Sequence, residues 1–200
     1  MSIDSQTEDS LRRSYDNIAS TYDHDTATFA HKVHEYVTQS HLTALLERCK
    51  PTTILDAGGG TGKWTYRLAR LGYRLILVDI SPKSLIIARK RLLDLKADVQ
   101  IMEGNVEAIN LPSQSVDFIL SQGPMSYTPD PSRMLNEMYR LLEPGGRMWL
   151  EFYNAVGWAV EALDFSTKTD LALTSEKLIQ MPDWDYPASH DEVTAPIVES

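Results

Sequence analysis

The stretch that most constrains the fold lies at residues 54–64 and reads ILDAGGGTGKW. A β-branched run over residues 52–55 leads into it, and residues 64–71 after it carry apolar side chains at helical spacing. A strand, a glycine-rich turn and a helix in this order open a nucleotide-binding α/β domain. Glycine is needed there because a residue without Cβ adopts positive φ and lets a ligand contact the main chain. The unpaired N–H groups at the helix start favour an anionic or electron-rich ligand group.

The glycine spacing separates this turn from two better-known nucleotide loops. A phosphate-binding GxxxxGK[ST] loop ending at Gly62 and Lys63 requires glycine at position 57 and Ser or Thr at 64, but the chain has Ala57 and Trp64. A dinucleotide GxGxxG loop starting at Gly58 requires glycine at position 63, where the chain has lysine. The spacing that remains is GxGxG, with an aspartate two residues before its first glycine.

This GxGxG turn resembles motif I of the class I S-adenosylmethionine-dependent methyltransferases. Residues 141–147 (LLEPGGR) follow in the right order and resemble the family's LxPGG segment before the fifth strand. Residues 79–89 resemble its DxSxxxLxxAR segment, and residues 15–23 (YDNIASTYD) resemble the lid segment of many small-molecule members, including the ubiquinone/menaquinone-biosynthesis group. The resemblance covers residues 15–154.

The resemblance implies an α/β fold with a Rossmann-like, doubly wound, mostly parallel sheet in strand order 3-2-1-4-5. Strands are predicted at residues 52–55, 74–79, 98–103, 116–120 and 147–153. Domain boundaries are predicted as a disordered N-terminus at 1–10, N-terminal lid helices at 11–50, the S-adenosylmethionine-binding domain at 51–165 and an irregular C-terminal segment at 166–200. Within the lid, residues 29–50 are predicted as one amphipathic helix whose apolar stripe is Phe29, Val33, Val37 and Ala44.

The C-terminal part departs from the family pattern. Residues 166–200 contain no two clear alternating runs for the family's final antiparallel hairpin, so we expect that hairpin to be absent or truncated. The fifth strand then has an exposed edge, and a dimer through that edge is a further expectation.

Charge and composition limit the partners. The net charge of −9 argues against nucleic acid, because neutralising phosphates takes clustered Lys and Arg. The single cysteine suits a reducing compartment, and no stretch has the apolar length of a membrane span. The expectation is a soluble, cytoplasmic protein that acts on a small-molecule substrate.

The resemblance also implies the cofactor, S-adenosyl-L-methionine, with S-adenosyl-L-homocysteine as product. Asp79 ends the second strand where an adenosine cofactor needs a carboxylate for its ribose hydroxyls. Asn105 stands at the adenine turn, although an asparagine chosen only for turn geometry is the alternative. The expected cofactor-binding residues are Tyr22, Asp56, Ala57, Gly58, Gly60, Gly62, Asp79, Ile80, Asn105, Val106, Ser121 and Gln122.

Catalytic residues are less constrained, because the sulfonium of the cofactor already activates the methyl group. His34, Gln122 and Tyr127 are the candidates, with a histidine as general base. His31 and His34 lie one helical turn apart, but no cluster of suitable spacing joins them, so no metal is expected. Two other functions stay open: a non-catalytic S-adenosylmethionine-binding subunit or regulatory partner, and an NAD-dependent oxidoreductase, which Asp79 alone does not exclude.

Overall fold

The computed structural model describes residues 3–25 and 29–151. Its helices are α1 (Ile3–Ile18), α2 (Tyr22–Asp25), α3 (Phe29–Cys49), α4 (Lys63–Arg70), α5 (Pro82–Leu92) and α6 (Pro131–Leu141). Its strands are β1 (Thr53–Ala57), β2 (Arg74–Asp79), β3 (Val99–Glu103), β4 (Val116–Gln122) and β5 (Leu142–Glu151), and a short 3₁₀ helix spans Pro124–Ser126. Predictions about residues 152–200, including the hairpin and the irregular segment, lie outside the described residues.

The five strands form one parallel sheet in the order β3-β2-β1-β4-β5, which confirms the predicted topology. The central strands β1, β2 and β4 are apolar because both of their faces are covered. One face packs against α3 and α4 through residues such as Leu42, Leu46 and Leu68. The other face packs against α6 through Met134 and Met138. Layers of helices on both sides place the carboxyl ends of the strands at one open edge.

Capping residues fix the starts of two helices. The Ser81 hydroxyl accepts a hydrogen bond from the Ser84 N–H, and Pro82 occupies the first turn of α5. Asp130 caps α6 in the same way, accepting from the N–H groups of Ser132 and Arg133. These caps fix the position at which each helix leaves the sheet edge.

The β4–β5 pairing contains the PGG segment of the second motif. Val116 lies opposite Leu142 and Phe118 lies opposite Arg147, so four residues of β5 bulge out between these pairs. A Cβ on Gly146 would lie 2.9 Å from the Glu143 carbonyl oxygen, which leaves no room for a side chain there. Beyond the bulge, Met148 and Leu150 contact one core face and Trp149 contacts the other, as the alternation of the strand predicts.

The three N-terminal helices, α1 to α3, are called the cap here. The prediction of disorder over residues 1–10 is wrong from residue 3 onward, because α1 begins at Ile3. Contacts with the domain stabilise this polar helix: the Glu8 carboxylate accepts from Asn105 Nδ2 at 3.0 Å, and Arg12 pairs with Glu103 at 2.9 Å. Composition could not reveal this, because the partners lie far away in the sequence.

The predicted apolar stripe of α3 is also wrong. Val37 is 44% exposed and Ala44 faces solvent, whereas Thr38, Leu42 and Leu46 are buried at four-residue spacing. Apolar residues occur around much of this helix, so their spacing did not define one face. Among the described residues, no helix combines the length and apolar character needed to cross a membrane.

Candidate active site

A cavity of about 1180 Å³ lies over the carboxyl ends of the strands, between the sheet edge and the cap. Residues from both sides line it: Asp79 and Gln122 come from the sheet, and Tyr15 and His34 come from the cap. The cavity therefore lies where open parallel sheets bind their ligands.

The glycine-rich turn forms the floor of this cavity. Gly60 has φ +55°, and a Cβ built on it would meet no atom within 4 Å, so its missing side chain leaves space open in the cavity. Gly58 is different, because a Cβ there would lie 2.1 Å from Cγ of Pro124. The first glycine is thus required by protein packing, and the second keeps space for a ligand.

Asp79 joins the glycine turn to the start of α5. Its Oδ2 accepts from the Gly60 N–H and its Oδ1 from the Ser81 N–H, both at 2.8 Å. Burial raises the pKa of this carboxyl, and the two backbone hydrogen bonds oppose that rise. Because each carboxylate oxygen has a second lone pair, Asp79 can still accept two hydroxyl groups from a ligand in the cavity.

Asp56 lies beneath the same turn. Its Oδ2 accepts from the Thr65 hydroxyl at 2.5 Å, and only 3% of the residue is exposed. Burial raises the pKa of Asp56 to about 6, and the nearby Asp79 charge adds to that rise. The floor of the cavity therefore holds two closely spaced carboxyl groups, both with raised pKa values.

Asn105 serves the turn geometry through its side-chain oxygen, which accepts from the Glu107 N–H at 2.9 Å. Its amide group donates to Glu8 of the cap. Asn105, Val106 and Ile80 all line the cavity. The side-chain contacts of Asn105 support the turn interpretation, while its position keeps a ligand contact open.

Three residues expected to bind cofactor lie below the lining. Ala57 is fully buried, and the Ser121 hydroxyl donates its hydrogen bond to the Ala57 carbonyl oxygen at 2.8 Å. Gly62 is buried where a side chain would meet Ala88 and Leu77. Their small size follows from packing between the turn, β4 and α5. The expected residues that do line the cavity are Tyr22, Asp56, Gly58, Gly60, Asp79, Ile80, Asn105, Val106 and Gln122.

The three candidate catalytic residues all line the cavity. His34 Nε2 lies 3.0 Å from Glu151 Oε1, and Gln122 Nε2 donates to Glu151 Oε2 at 3.2 Å. The hydrogen bond to Glu151 raises the pKa of His34, and desolvation opposes that rise. The Tyr127 ring lies edge-on to Tyr15, with centroids 6.1 Å apart. Glu151, at the end of β5, was not identified from the sequence.

The residues that hold the cap in place were also not identified from the sequence. Asp16 accepts from the Ser81 hydroxyl at 2.6 Å, and Asp23 accepts from the Thr61 hydroxyl at 2.7 Å and from Arg91. These are the two aspartates of the YDxxAxxYD segment, so the motif was visible even though its partners were not.

Glu35 makes a third connection between the cap and the domain, from the side of α3. It receives hydrogen bonds from Arg67 at 2.6 Å and Lys63 at 3.2 Å. Desolvation raises the pKa of this carboxyl, but the two cations outweigh it, so the net pKa is lowered. Among the described residues, no three His, Cys, Asp or Glu side chains converge in a way that could hold a metal.

Comparisons with known proteins agree with this geometry. A family model described as a methyltransferase domain matches residues 54–146. The chain is 34% identical over 106 residues to the ubiquinone/menaquinone biosynthesis C-methyltransferase of Enterobacter sp. strain 638, covering 50% of this chain and 42% of that protein. It is 31% identical over 112 residues to the tRNA 5-carboxymethoxyuridine methyltransferase of Escherichia coli K12, covering 52% and 41%.

A solved structure from Methanococcus maripaludis, described as an S-adenosyl-L-methionine-dependent methyltransferase, matches with a TM-score of 0.56 and 24% identity. The match covers 70% of this chain and 62% of that chain, and it supports the fold. The chain spans about two fifths of the length of the curated relatives named above. Together with the sheet order and the glycine turn, the family model and the two curated relatives support assigning residues 54–146 to the class I S-adenosylmethionine-dependent methyltransferase family.

Proposed function

We propose that this chain binds S-adenosylmethionine in the cavity and transfers its methyl group to a small acceptor without anionic groups. The charge of the cavity lining supports this choice of acceptor. Among the described lining residues are seven Asp and Glu side chains, but only two Lys or Arg side chains, Lys63 and Arg133. An acidic lining suits a cationic sulfonium and repels phosphate or carboxylate groups on an acceptor.

The residues of the floor fit the cofactor. Asp79 has lone pairs for the ribose diol, and the open space at Gly60 accepts a group pressed against the main chain. When bound, S-adenosylmethionine supplies a methyl group already activated by its sulfonium centre. The work left to the chain is to orient the acceptor and to exclude water, which strengthens local electrostatic interactions.

The cap performs the exclusion of water in this proposal. Tyr15 and Tyr22 of the cap pack edge-on with ring centroids 6.5 Å apart, and Tyr15 also contacts Tyr127 from the sheet side. Aromatic faces tolerate a cation without hydrogen bonds, so this tyrosine cluster covers a sulfonium at low cost. The cap and the segment after β4 that contains the 3₁₀ helix thus meet at this tyrosine cluster and cover the cavity there.

A tRNA acceptor is the second candidate, and the 31% identity to the tRNA 5-carboxymethoxyuridine methyltransferase favours it. A polyanionic substrate needs clustered cations to bind. The chain has a net charge of −9, and the described cavity lining is acidic, so the small-molecule acceptor is the better-supported proposal.

Calorimetric titration of the purified chain with S-adenosylmethionine tests the first part of the proposal. The expected result is one saturable site with affinity in the micromolar range, and no heat with NAD at the same concentration. Saturable NAD binding without S-adenosylmethionine binding would overturn the proposal in favour of the oxidoreductase.

The second part is tested by formation of S-adenosylhomocysteine in the presence of separate acceptor pools. One pool holds neutral and cationic small metabolites, a second holds anionic metabolites, and a third holds total tRNA. The proposal expects turnover with the first pool. Turnover with tRNA alone would establish the second candidate. Tight binding without turnover in any pool would point to a cofactor-binding subunit.

A further inference from the structure

At the β4–β5 end of the cavity, three side chains from separate elements form a hydrogen-bonded cluster. His34 of α3 contacts Glu151 of β5 at 3.0 Å, and Gln122 of β4 donates to the second oxygen of Glu151 at 3.2 Å. All three side chains line the cavity. Gln122 therefore fixes the carboxylate, and the carboxylate fixes the imidazole.

The contact to Glu151 determines which imidazole nitrogen is basic. An ionised carboxylate can only accept hydrogen bonds, so His34 Nε2 carries the hydrogen that points at Glu151. In the neutral ring the lone pair then resides on Nδ1. This arrangement, an acidic group that orients a histidine, is the one that prepares a histidine to accept a proton.

Other charged groups near His34 have partners of their own. Glu35, the next residue of α3, is paired with Lys63 and Arg67 of α4. His31 lies one helical turn earlier in the same wall. Glu151 is thus the carboxylate in direct contact with His34, and Glu35 adds a weaker field of the same sign.

We propose that His34 is the general base of methyl transfer, that Glu151 is its positioning residue, and that the acceptor is a hydroxyl compound whose O–H proton must be removed. This inference rests on the proposed function. In the step, the O–H bond breaks and its proton goes to His34 Nδ1. The oxygen electron pair forms the O–CH₃ bond while the S–CH₃ bond opens and its electron pair stays on sulfur. Glu151 stabilises the resulting imidazolium through Nε2–H.

The hydrogen bond that His34 donates to Glu151 raises the pKa of His34 above its ordinary value. A general base works best when its pKa is close to the working pH. The His34 side chain is 49% exposed, so the proton can pass on to solvent after each turnover.

The first test follows the His34 imidazole by NMR during a pH titration of the full chain saturated with S-adenosylhomocysteine. The expected result is an Nε2–H tautomer and a pKa above about 6.5, both of which change in Glu151→Gln. Replacement of the anion by an amide should lower the His34 pKa and mix the tautomers. A His34 signal that titrates normally and ignores Glu151→Gln would overturn the proposal.

The second test measures S-adenosylhomocysteine formation with two probe sets, primary alcohols and phenols in one and thioethers and tertiary amines in the other. Removing a general base costs about 10²- to 10⁴-fold, so His34→Gln should lose that factor with the hydroxyl probes. Glu151→Gln should lower kcat less and shift the pH profile by the amount that NMR reports for His34. His41→Gln is the matched control, because His41 is an exposed histidine of α3 outside the described cavity lining.

Methyl transfer only to thioethers or tertiary amines, whose nucleophilic atom has no proton to remove, would overturn the assignment of His34 as base. An unchanged rate in His34→Gln with the hydroxyl probes would overturn it as well. If S-adenosylhomocysteine fails to bind at all, the proposed function fails. The NMR titration of the ligand-free chain then still decides whether Glu151 controls His34, so the two failures are distinguishable.

Discussion

The cavity has two walls, a sheet wall formed by the carboxyl ends of the strands with their turns, and a second wall formed by the cap. Different interactions hold each wall in place. On the sheet side, the Asp79 carboxylate bonds to main-chain N–H groups of Gly60 and Ser81. On the cap side, Asp16 and Asp23 reach side chains that lie 65 and 38 residues away in the sequence. The sheet wall is thus organised by the backbone of a buried sheet, and the cap by side-chain pairs.

The apolar packing of the walls differs in the same sense. Strands β1, β2 and β4 are almost completely buried, whereas the cap contributes only a few fully buried apolar side chains among its described residues, including Ala19, Leu42 and Leu46. Stability concentrates where apolar contacts concentrate. We therefore expect changes in the sheet wall to remove cofactor binding or stability, and changes in the cap to weaken binding in a domain that stays folded.

The largest expected effect is that of Gly60→Val. The new side chain would fill cavity space that is open at Gly60, and its φ of +55° adds backbone strain. Affinity for S-adenosylmethionine should fall by more than about 100-fold, and stability should fall by about 1–3 kcal/mol from the strain. Calorimetric titration and urea unfolding measure the two quantities.

Gly72→Val is the matched control for Gly60→Val. Gly72 also has positive φ (+87°) and open space around its Cβ position, but it lies in the α4–β2 turn outside the described cavity lining. It should show a similar loss of stability with unchanged affinity. Equal affinity losses in both variants would mean that strain, not cavity filling, explains the effect.

The second effect is a pH dependence from Asp56. Burial raises its pKa to about 6, so between about pH 4 and 6 the folded chain holds a proton that the unfolded chain has lost. The Asp56 contribution therefore favours folding at low pH and disappears as the pH rises through this window. The difference corresponds to about 3 kcal/mol at most.

Asp56→Asn isolates that contribution, because asparagine does not titrate. Relative to the wild type, the variant should gain up to about 3 kcal/mol of stability between pH 4 and pH 7. Urea unfolding of both proteins across this range measures the difference. A stability difference that stays constant with pH would show that Asp56 has an ordinary pKa.

The third effect is that of Asp79→Ala on cofactor affinity. Loss of a charged acceptor for the ribose diol should cost about 1.5–3 kcal/mol of binding free energy, or roughly 10- to 150-fold. Asp98→Ala, at an exposed carboxylate outside the described lining, should leave affinity unchanged. Asp79 also accepts a hydrogen bond from the Gly60 N–H, so its loss could weaken binding by disturbing the glycine turn. An S-adenosylhomocysteine analogue without the ribose diol separates these two roles of Asp79.

If Asp79→Ala weakens binding of this analogue as much as binding of S-adenosylhomocysteine, the loss comes from the glycine turn and not from the ribose contact.

The same division separates what the sequence could predict from what it could not. The sheet order pairs distant strands and was predicted from the family resemblance. The β2 end at Asp79 and the Ser81 N-cap were predictable because each depends on neighbours within a few residues. The ends of β1, β3 and β4 lie one or two residues from the predicted ones, whereas β5 begins at Leu142, five residues before its predicted start at 147. The sheet wall of the candidate site was therefore largely visible in the sequence.

The cap was not predictable to the same extent, because its contacts join distant positions. The start of α1 depends on pairs such as Arg12 with Glu103, and the His34–Glu151 contact joins α3 to the end of β5. The buried face of α3 was predicted wrongly for the same reason, because the sheet on which α3 packs determines which of its side chains are buried. Without the fold, a sequence offers many equally good partners for each of these charges.

The smallest expected effect tests the cap most directly. Asp16 accepts from the Ser81 hydroxyl and from the Lys83 N–H, and these contacts connect α1 to the start of α5. The Ser81 hydrogen bond is the main cause of a lowered pKa for Asp16, so the contact is present at neutral pH and is lost as the pH falls through that lowered pKa. Asp16→Asn should weaken S-adenosylmethionine binding about two- to tenfold, the usual net worth of one hydrogen bond. The free energy of global unfolding should change little, because the sheet core does not depend on α1.

Asp9→Asn makes the same substitution at an exposed position of α1 and should change neither the affinity nor the unfolding free energy. If Asp16→Asn instead lowers the unfolding free energy as much as Gly60→Val does, the cap and the sheet fold as one unit and the difference between the walls disappears.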